Sequence, residues 1–282
     1  IGVIVHETAH FFGLPDLYDY TGQSSGLGLW GLLAAGPWAG PNMDGTVPTH
    51  LSAWGKAKLG LVSPQHITAT APGQVLHPVE TNREVVRLDS GMPASQYFLL
   101  EDRQRTGYDQ YLPGAGLLIF HVDESRSDNN NPDRYLVDLE QADGLRGLNT
   151  SNWDLGDSRD PYPTSTNTSF TPTSNPNSKA YGASTSKISV TNIARSGSNI
   201  TFDVTIEGTT GSALQASPSS LQFSGTAGGA DPAAVPLQIT HQGATALAFT
   251  AAGQDGWVRV NPGSGTTPAG LQVSVSLSGL AA

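Results

Sequence analysis

The spacing of apolar residues changes along the chain and predicts its elements. Residues 1–12 are mostly apolar, with His6 and His10 one helical turn apart, which predicts a helix. A second helical pattern covers residues 48–60. From residue 65 the apolar runs are short and bounded by turn residues, which predicts strands. The pattern therefore indicates a helical first part followed by β structure.

The same pattern, with shifts in composition, divides the chain into domains. Residues 1–64 carry both predicted helices, and the strands of 65–207 predict a β-sandwich domain. A linker rich in Gly and Thr follows at 208–212. Residues 213–282 have the strand spacing of a further β-sandwich that stops before it is complete. Its strands are predicted at 221–223, 236–240 and 271–277.

The amino-acid composition argues against several classes of protein. The 282 residues suffice for two or three domains, and 33 Gly, 19 Pro and 13% charged residues suit strands and turns. The net charge of −10 leaves no basic stripe for nucleic acid. Without cysteine, a metal would bind to His, Asp, Glu or carbonyl oxygen, and no apolar run predicts a membrane span. The chain starts at Ile1 within a helical pattern, so we expect a fragment with any signal peptide upstream.

The first helix carries the clearest candidate for chemistry, the sequence His6-Glu7-Thr8-Ala9-His10. Two histidines four residues apart project from one helix face and can bind one metal ion, for which zinc is expected. Glu7 stands where a metalloprotease keeps its general base, which takes a proton from the zinc-bound water and passes it to the leaving amine. The alternatives are a chance match in a core helix and an inactive homologue that keeps the metal site.

A catalytic zinc also requires a third protein ligand and an open position for water. Asp16 is the candidate, because Gly13 can adopt the positive φ that turns the chain back towards the metal. The pattern H-E-x-x-H-x-x-G-x-x-D matches the extended metzincin consensus with Asp in place of the last His. His50 and Glu101 are the next candidates, although packing and an ion pair with Arg103, respectively, explain them more simply.

The motif and its surroundings resemble the M6 peptidases, the immune inhibitor A family of bacterial secreted metalloproteases. The resemblance begins with HETAHFFGLPDLYD at residues 6–19 and continues with WGLLAAGPW at 30–38. It extends to about residue 207 through residues 48–60, 97–104 and 139–144. The family implies a zincin-type fold, zinc-dependent endopeptidase activity, secretion and, often, stabilisation by calcium. Carried over by position, His6, His10 and Asp16 match the zinc ligands and Glu7 the catalytic acid/base.

Two departures from the family pattern affect what we expect. Leu33 stands where metzincin-like enzymes carry a methionine below the metal, and its similar volume can preserve the apolar floor. The sheet that precedes the active-site helix in zincins, and pairs with the substrate, is missing from this chain. We therefore expect the metal ligands to be present, most of the substrate cleft to be absent, and no proteolysis by this fragment alone.

Further candidate residues lie outside the motif. Asp154, Asp157 and Asp160 are crowded in a turn-rich loop, which suits either Ca²⁺ or a solvated acidic loop without an ion. Tyr18 and Tyr20 are candidates for oxyanion stabilisers or pocket walls, with packing as the simpler role.

The last region, 213–282, resembles bacterial Ig-like modules related to the BACON domain, which bind carbohydrate or act as spacers. The fold expected overall is a truncated zincin-like α+β catalytic part, then an all-β sandwich, then a truncated Ig-like β-sandwich. The expected function is a secreted bacterial zinc endopeptidase acting on protein or peptide substrates. The Ig-like module could add contact with carbohydrate or a cell surface. The alternative is a non-catalytic adhesion or carbohydrate-binding protein that retains a vestigial zinc site.

Overall fold

The fold was analysed in a computed structural model, which describes residues 1–208, 214–218, 220–226, 229–241 and 246–278. The chain forms two compact units, Ile1–Gly208 and Thr209–Ala282. Apart from Gly208, the predicted linker at 208–212 lies outside the described residues. Among the helices of the described residues, none combines the length and the apolar character needed to cross a membrane.

The first unit is mostly β structure with a few short helices. Its helices are α1 (Gly2–Phe11), α2 (Ala53–Lys58) and α3 (Gly147–Thr150), with 3-10 turns at Gly28–Trp30, Gly36–Trp38, Pro41–Met43 and Gly107–Tyr111. Its strands are β1 (Gln65–His66), β2 (Ala71–Leu76), β3 (Val86–Leu88), β4 (Gln96–Arg103), β5 (Gly116–Asp123), β6 (Val137–Leu139), β7 (Ile188–Ser196) and β8 (Asn199–Ile206). The second predicted helix is shorter than 48–60, because Ser52 caps it by accepting a hydrogen bond from the Gly55 amide.

Two sheets form the framework of the first unit. The larger has the order β1-β3-β4-β5-β6, in which only the β1–β3 pair is parallel, and the smaller has the order β2-β8-β7. Every residue of β4 and β5 is buried. Since side chains alternate between the faces of a strand, each of these strands contributes to two different cores.

The two cores lie on opposite faces of the larger sheet. One face, through Leu99 and Phe120, packs with α1 and the segments around Leu33 and Trp54. The other face packs against the smaller sheet, for example through Phe98. Residues 1–64 and 65–207 therefore share a core within one compact unit, and the boundary between them stays a prediction.

The polar stretch 153–178 is more than the surface loop that its composition predicts. Tyr162 and Phe170 are completely buried in the core between the sheets. Their backbones form isolated bridges with Leu117 and Val190, which draws the stretch against both sheets. The expectation of a surface loop is therefore wrong at these two residues, because the aromatic side chains remove more apolar surface from water than the polar neighbours can oppose.

The second unit is an antiparallel β structure with its own small core. Its strands are β9 (Leu214–Ser217), β10 (Val235–His241), β11 (Ala248–Thr250), β12 (Val258–Asn261), β13 (Ser264–Thr266) and β14 (Ala269–Val275). They pair in the orders β12-β14-β10-β9 and β11-β13 around Ile239, Phe249 and Leu271. The strand predicted at 221–223 is absent from the described residues, and β9 pairs with β10 instead. An Ig-like fold for this region stays a prediction.

Candidate metal centre and cleft

The end of α1 sets the position of the candidate metal ligands. The helix is buried only at Gly2, His6 and Ala9, so one narrow face packs against the protein. Gly13 follows the helix with φ +88°, and its amide donates to the His10 carbonyl at 2.8 Å. This left-handed residue reverses the chain, as expected for a glycine just beyond a helix C-terminus.

The reversal brings the three predicted ligands together. The Nε2 atoms of His6 and His10 lie 3.0 Å apart. The Asp16 Oδ1 atom lies 3.0 Å from the first and 3.1 Å from the second. These are the separations expected for neighbouring ligands of one small ion, since tetrahedral bonds of about 2.0–2.1 Å place ligand atoms about 3.3 Å apart.

The hydrogen bonds at the Nδ1 atoms of the two histidines determine whether their Nε2 atoms can act as metal ligands. The Nδ1 atom of His6 lies 2.9 Å from the Leu32 carbonyl, and that of His10 lies 2.7 Å from the Leu14 carbonyl. A carbonyl oxygen only accepts hydrogen bonds, so each Nδ1 carries the proton and each Nε2 of the neutral ring presents a lone pair. Asp16 Oδ1 is buried without a hydrogen-bond donor.

With both rings neutral, three electron-pair donors converge on one point. Such an arrangement is unfavourable for a buried carboxylate and two neutral imidazoles unless a cation lies among them. The donor set of two nitrogens and one carboxylate oxygen, with the outer nitrogens held by backbone carbonyls, is the kind that zinc prefers. The residues present therefore fit a zinc ion.

The turn that contains Leu33 lies directly behind these ligands. The Leu32 carbonyl contacts His6, and the Leu33 carbonyl accepts a 2.6 Å hydrogen bond from the Leu17 amide, next to Asp16. The Leu33 side chain is buried in the core that also contains Ala9. Leucine is therefore a buried apolar residue of the turn, at the position where the resemblance to metzincin-like enzymes led us to expect a methionine.

A buried ion network attaches this turn to the larger sheet. The Arg103 guanidinium donates to both oxygens of Asp109 (2.6 and 2.8 Å), to Glu101 (3.0 Å) and to the Trp30 carbonyl (3.2 Å). Burial alone would lower the pKa of Arg103, but the two carboxylates raise it above its usual value. Arg103 is therefore a permanent cation that holds the start of the turn.

The same network accounts for the two alternative third ligands. The Lys56 ammonium lies 2.6 Å from Glu101, which is thereby occupied by two buried cations. The His50 amide donates to Asp109 at 2.9 Å, and the His50 carbonyl accepts from the Leu32 amide at 3.1 Å. His50 and Glu101 therefore support the turn behind the ligands and do not join the cluster of His6, His10 and Asp16.

Glu7 faces an open cleft beside the cluster. The cleft has a volume of about 440 Å³ and is lined by Glu7 and His6 from α1. The lining also includes Trp38, from the 3-10 turn Gly36–Trp38, and Leu155 from the loop after α3. A volume of about 440 Å³ lies within the range of small-molecule pockets, so the cleft is large enough to hold a ligand next to Glu7. Sequence reasoning missed the loop residue, because nothing near Leu155 in the sequence points to α1.

The two tyrosines near the site have different surroundings. Tyr18 lines the cleft and also packs against the core, so its position agrees with both of the roles considered for it. The Tyr20 hydroxyl donates a hydrogen bond to Asp16 Oδ2, and this bond raises the pKa of the phenol well above its usual value. Packing therefore does not account for Tyr20. The spacing of Tyr20 from Asp16 was the sole sequence signal for this contact, and it is too common to be specific.

The acidic loop forms a cluster that differs from the predicted one. Oxygens of Asp157 and Asp160 lie within 4.8 Å of each other and of Asp143, whereas Asp154 lies outside the cluster and accepts a hydrogen bond from the Gly156 amide.

The charges of this cluster are partly compensated within the protein. Burial raises the pKa of Asp160 to about 7. The Arg159 guanidinium lies 2.9 Å from Asp157 and 3.7 Å from Asp143. A protein cation thus already compensates part of the charge, and calcium stays a prediction. The cluster of Asp143, Asp157 and Asp160 was not predicted as a set, because Asp143 is distant in sequence.

Comparison with known proteins is consistent with a peptidase site. Residues 1–61 match the model of the immune inhibitor A peptidase M6 catalytic domain. The pre-pro-metalloprotease PrtV of Vibrio cholerae serotype O1 is 46% identical over 57 residues, which are 20% of this chain and 6% of that protein. Immune inhibitor A of Bacillus thuringiensis subsp. alesti is 43% identical over 58 residues, 20% of this chain and 8% of that protein.

The chain thus spans less than a tenth of the length of these curated relatives. The match covers the described helices α1 and α2 and the turn between them, and the resemblance predicted as far as residue 207 is supported only to residue 61. That stretch contains the histidine pair, Glu7 and Asp16. The candidate metal centre therefore lies entirely within a segment similar to the catalytic domain of the M6 metallopeptidases.

Proposed function

We propose that His6, His10 and Asp16 bind a zinc ion and that the full-length protein is a secreted zinc endopeptidase. The observation that carries the proposal is the convergence of two histidine Nε2 atoms and one carboxylate oxygen within 3.1 Å, the oxygen being buried without a donor. The match of residues 1–61 to an M6 catalytic domain supports the same function. The description of the Vibrio relative as a pre-pro form supports secretion.

The chemistry divides between the metal and Glu7. When bound, zinc would polarise the scissile carbonyl and make a water molecule acidic enough to attack near neutral pH. Glu7 borders the cleft in which that carbonyl would lie, so its carboxylate can take the proton of the attacking water. The same carboxyl group then gives the proton to the leaving amine nitrogen. The carbonyls of Leu32 and Leu14 hold the two histidine rings in orientation throughout.

We also propose roles for the acidic loop and for the region 213–282. Calcium at Asp157 and Asp160, with Asp143 in place of Asp154, would stabilise the loop beside the cleft. An Ig-like module at 213–282 would act as a spacer or contact carbohydrate. The non-catalytic alternative with a vestigial zinc site makes the same prediction for metal binding and differs in proteolysis.

Metal binding tests the site itself. The 282-residue chain is expected to bind one zinc ion per molecule, and His6→Ala is expected to weaken binding by more than about 100-fold, beyond the loss typical of an outer hydrogen-bond partner. Competition with a chromophoric chelator measures the affinity. His66→Ala is the matched control, because His66 is an exposed histidine paired with Asp89 at 2.7 Å outside the cluster. Unchanged zinc affinity in His6→Ala would show that the metal binds elsewhere.

A further inference from the structure

The two oxygens of the Asp16 carboxylate have different surroundings. Oδ1 faces the two histidine nitrogens and is buried without a donor. Oδ2 accepts a hydrogen bond from the Tyr20 hydroxyl. The carboxylate is thus divided between an oxygen directed at the candidate metal position and an oxygen held from outside by a phenol.

The Tyr20 backbone is fixed by the connection between β5 and β6. Its amide donates to the Asn130 Oδ1 atom at 2.8 Å, in the connection between β5 and β6. In the same connection the buried Asn129 side chain donates to the Leu17 carbonyl at 3.0 Å. Two neighbouring asparagines therefore hold the backbone on either side of Tyr18. The Tyr20 hydroxyl is positioned by this fixed backbone, although the ring itself is exposed.

The turn after Tyr20 is fixed as well. The Asp19 carboxylate accepts hydrogen bonds from the Thr21 amide (2.7 Å), the Thr21 hydroxyl (2.6 Å) and the Ser24 hydroxyl (2.7 Å). The Tyr20 ring lies against Tyr18 with the ring centroids 4.8 Å apart. Although 64% of Tyr20 is exposed, its hydroxyl is therefore presented to Asp16 by a constrained backbone and a neighbouring ring.

We propose that Tyr20 is a positioning residue that limits Asp16 to binding the metal through Oδ1 alone. The proposal rests on the proposed zinc site. A carboxylate can bind a metal through one or both oxygens, and the second oxygen would fill the coordination position that a catalytic site leaves open. A hydrogen bond to Oδ2 opposes this second contact, and it also restricts rotation of the carboxylate before the metal binds.

The test compares zinc affinity and coordination in matched tyrosine variants of the 282-residue chain. Tyr20→Phe removes the hydroxyl, and we expect it to weaken zinc binding by about 10- to 100-fold, the range for loss of an outer hydrogen-bond partner. Tyr108→Phe is the control, because Tyr108 is similarly exposed (58%) and lies outside the cluster and the cleft. We expect its zinc affinity to stay within about twofold of the unmodified chain, since it touches no ligand.

Substitution by Co²⁺ reports the coordination directly. Four-coordinate Co²⁺ absorbs visible light more strongly than five- or six-coordinate Co²⁺. Release of Oδ2 in Tyr20→Phe is therefore expected to weaken the visible absorption band, and Tyr108→Phe is expected to leave it unchanged. A purely structural role of Tyr20 would instead lower the melting temperature of the metal-free chain.

The outcomes separate this proposal from the proposed function. Zinc affinity and a cobalt spectrum that are both unchanged in Tyr20→Phe, while the unmodified chain binds zinc, would overturn the role of Tyr20 and leave the zinc site intact. Weaker binding that is accompanied by a lower melting temperature of the metal-free chain would also overturn it. Failure of the unmodified chain to bind zinc would count against the proposed function itself.

Discussion

Replacement of Glu7 by glutamine is expected to lower the kcat/KM of the full-length protein on casein by about 10²- to 10⁴-fold, the contribution typical of a general acid/base. Glutamine keeps the size of the side chain but cannot take a proton from the attacking water or deliver it to the amine. Because Glu7 lines the cleft and is not a ligand in the cluster, the zinc content should not change. Activity and zinc content are measured on the same preparation.

The matched control is Glu84→Gln, which changes an exposed carboxylate paired with His77 outside the cleft. It should retain the activity of the unmodified protein. The activity of the unmodified protein should disappear with a chelator and return with zinc. Proteolysis that survives in Glu7→Gln, or that a chelator does not inhibit, would contradict the proposed mechanism. An absence of proteolysis together with tight glycan binding would favour the non-catalytic alternative.

Replacement of Arg103 by leucine is expected to lower the free energy of unfolding of the first unit by about 3–5 kcal/mol. The substitution leaves the buried carboxylate of Asp109 without a cation and removes one of the two cations that pair with Glu101. It also removes the hydrogen-bond donor to the Trp30 carbonyl. Urea unfolding measures the effect through tryptophan fluorescence, because Trp30 and Trp54 are buried in this unit.

An exposed arginine provides the comparison for Arg103. The Arg159 guanidinium pairs with Asp157 at 2.9 Å, and 60% and 43% of the two side chains are exposed. Arg159→Leu should therefore cost at most about 1 kcal/mol, as exposed ion pairs do. Equal losses in the two variants would show that the buried network does not have the energetic role assigned to it.

The sequence was informative where chemistry depends on local spacing. The two histidines had to share a face because they are four residues apart on a helix, and the glycine after the helix allowed Asp16 to return. The structure brings these three predicted residues together, and their role as ligands remains a proposal. Strands β4 and β5 were also predictable, because their apolar runs are bounded by turn residues.

The sequence was uninformative where function depends on contacts between distant segments. Asp143 lies within 4.8 Å of Asp157 and Asp160, while Asp154, nearer to both in sequence, forms a local turn. Arg103 contacts the turn at Trp30, which is 73 residues away. Spacing along the chain contains no information about such pairs.

The same limit applies beside the candidate metal centre. Tyr20 is close to Asp16 in sequence, but its position depends on Asn130, which is 110 residues away. Leu155 reaches the cleft from the loop after α3, outside the segment that matches the M6 catalytic domain. The ligands are thus encoded locally, whereas Asn130 and Leu155 approach the site from segments that are distant in sequence.

The most direct test of the proposed centre is anomalous X-ray diffraction at the zinc absorption edge from crystals of the zinc-loaded chain. We predict a peak at about 2.0–2.2 Å from His6 Nε2, His10 Nε2 and Asp16 Oδ1, with the remaining position open to solvent. A peak away from these atoms, or one whose third protein ligand is not Asp16, would contradict the assignment of this site as the catalytic metal centre.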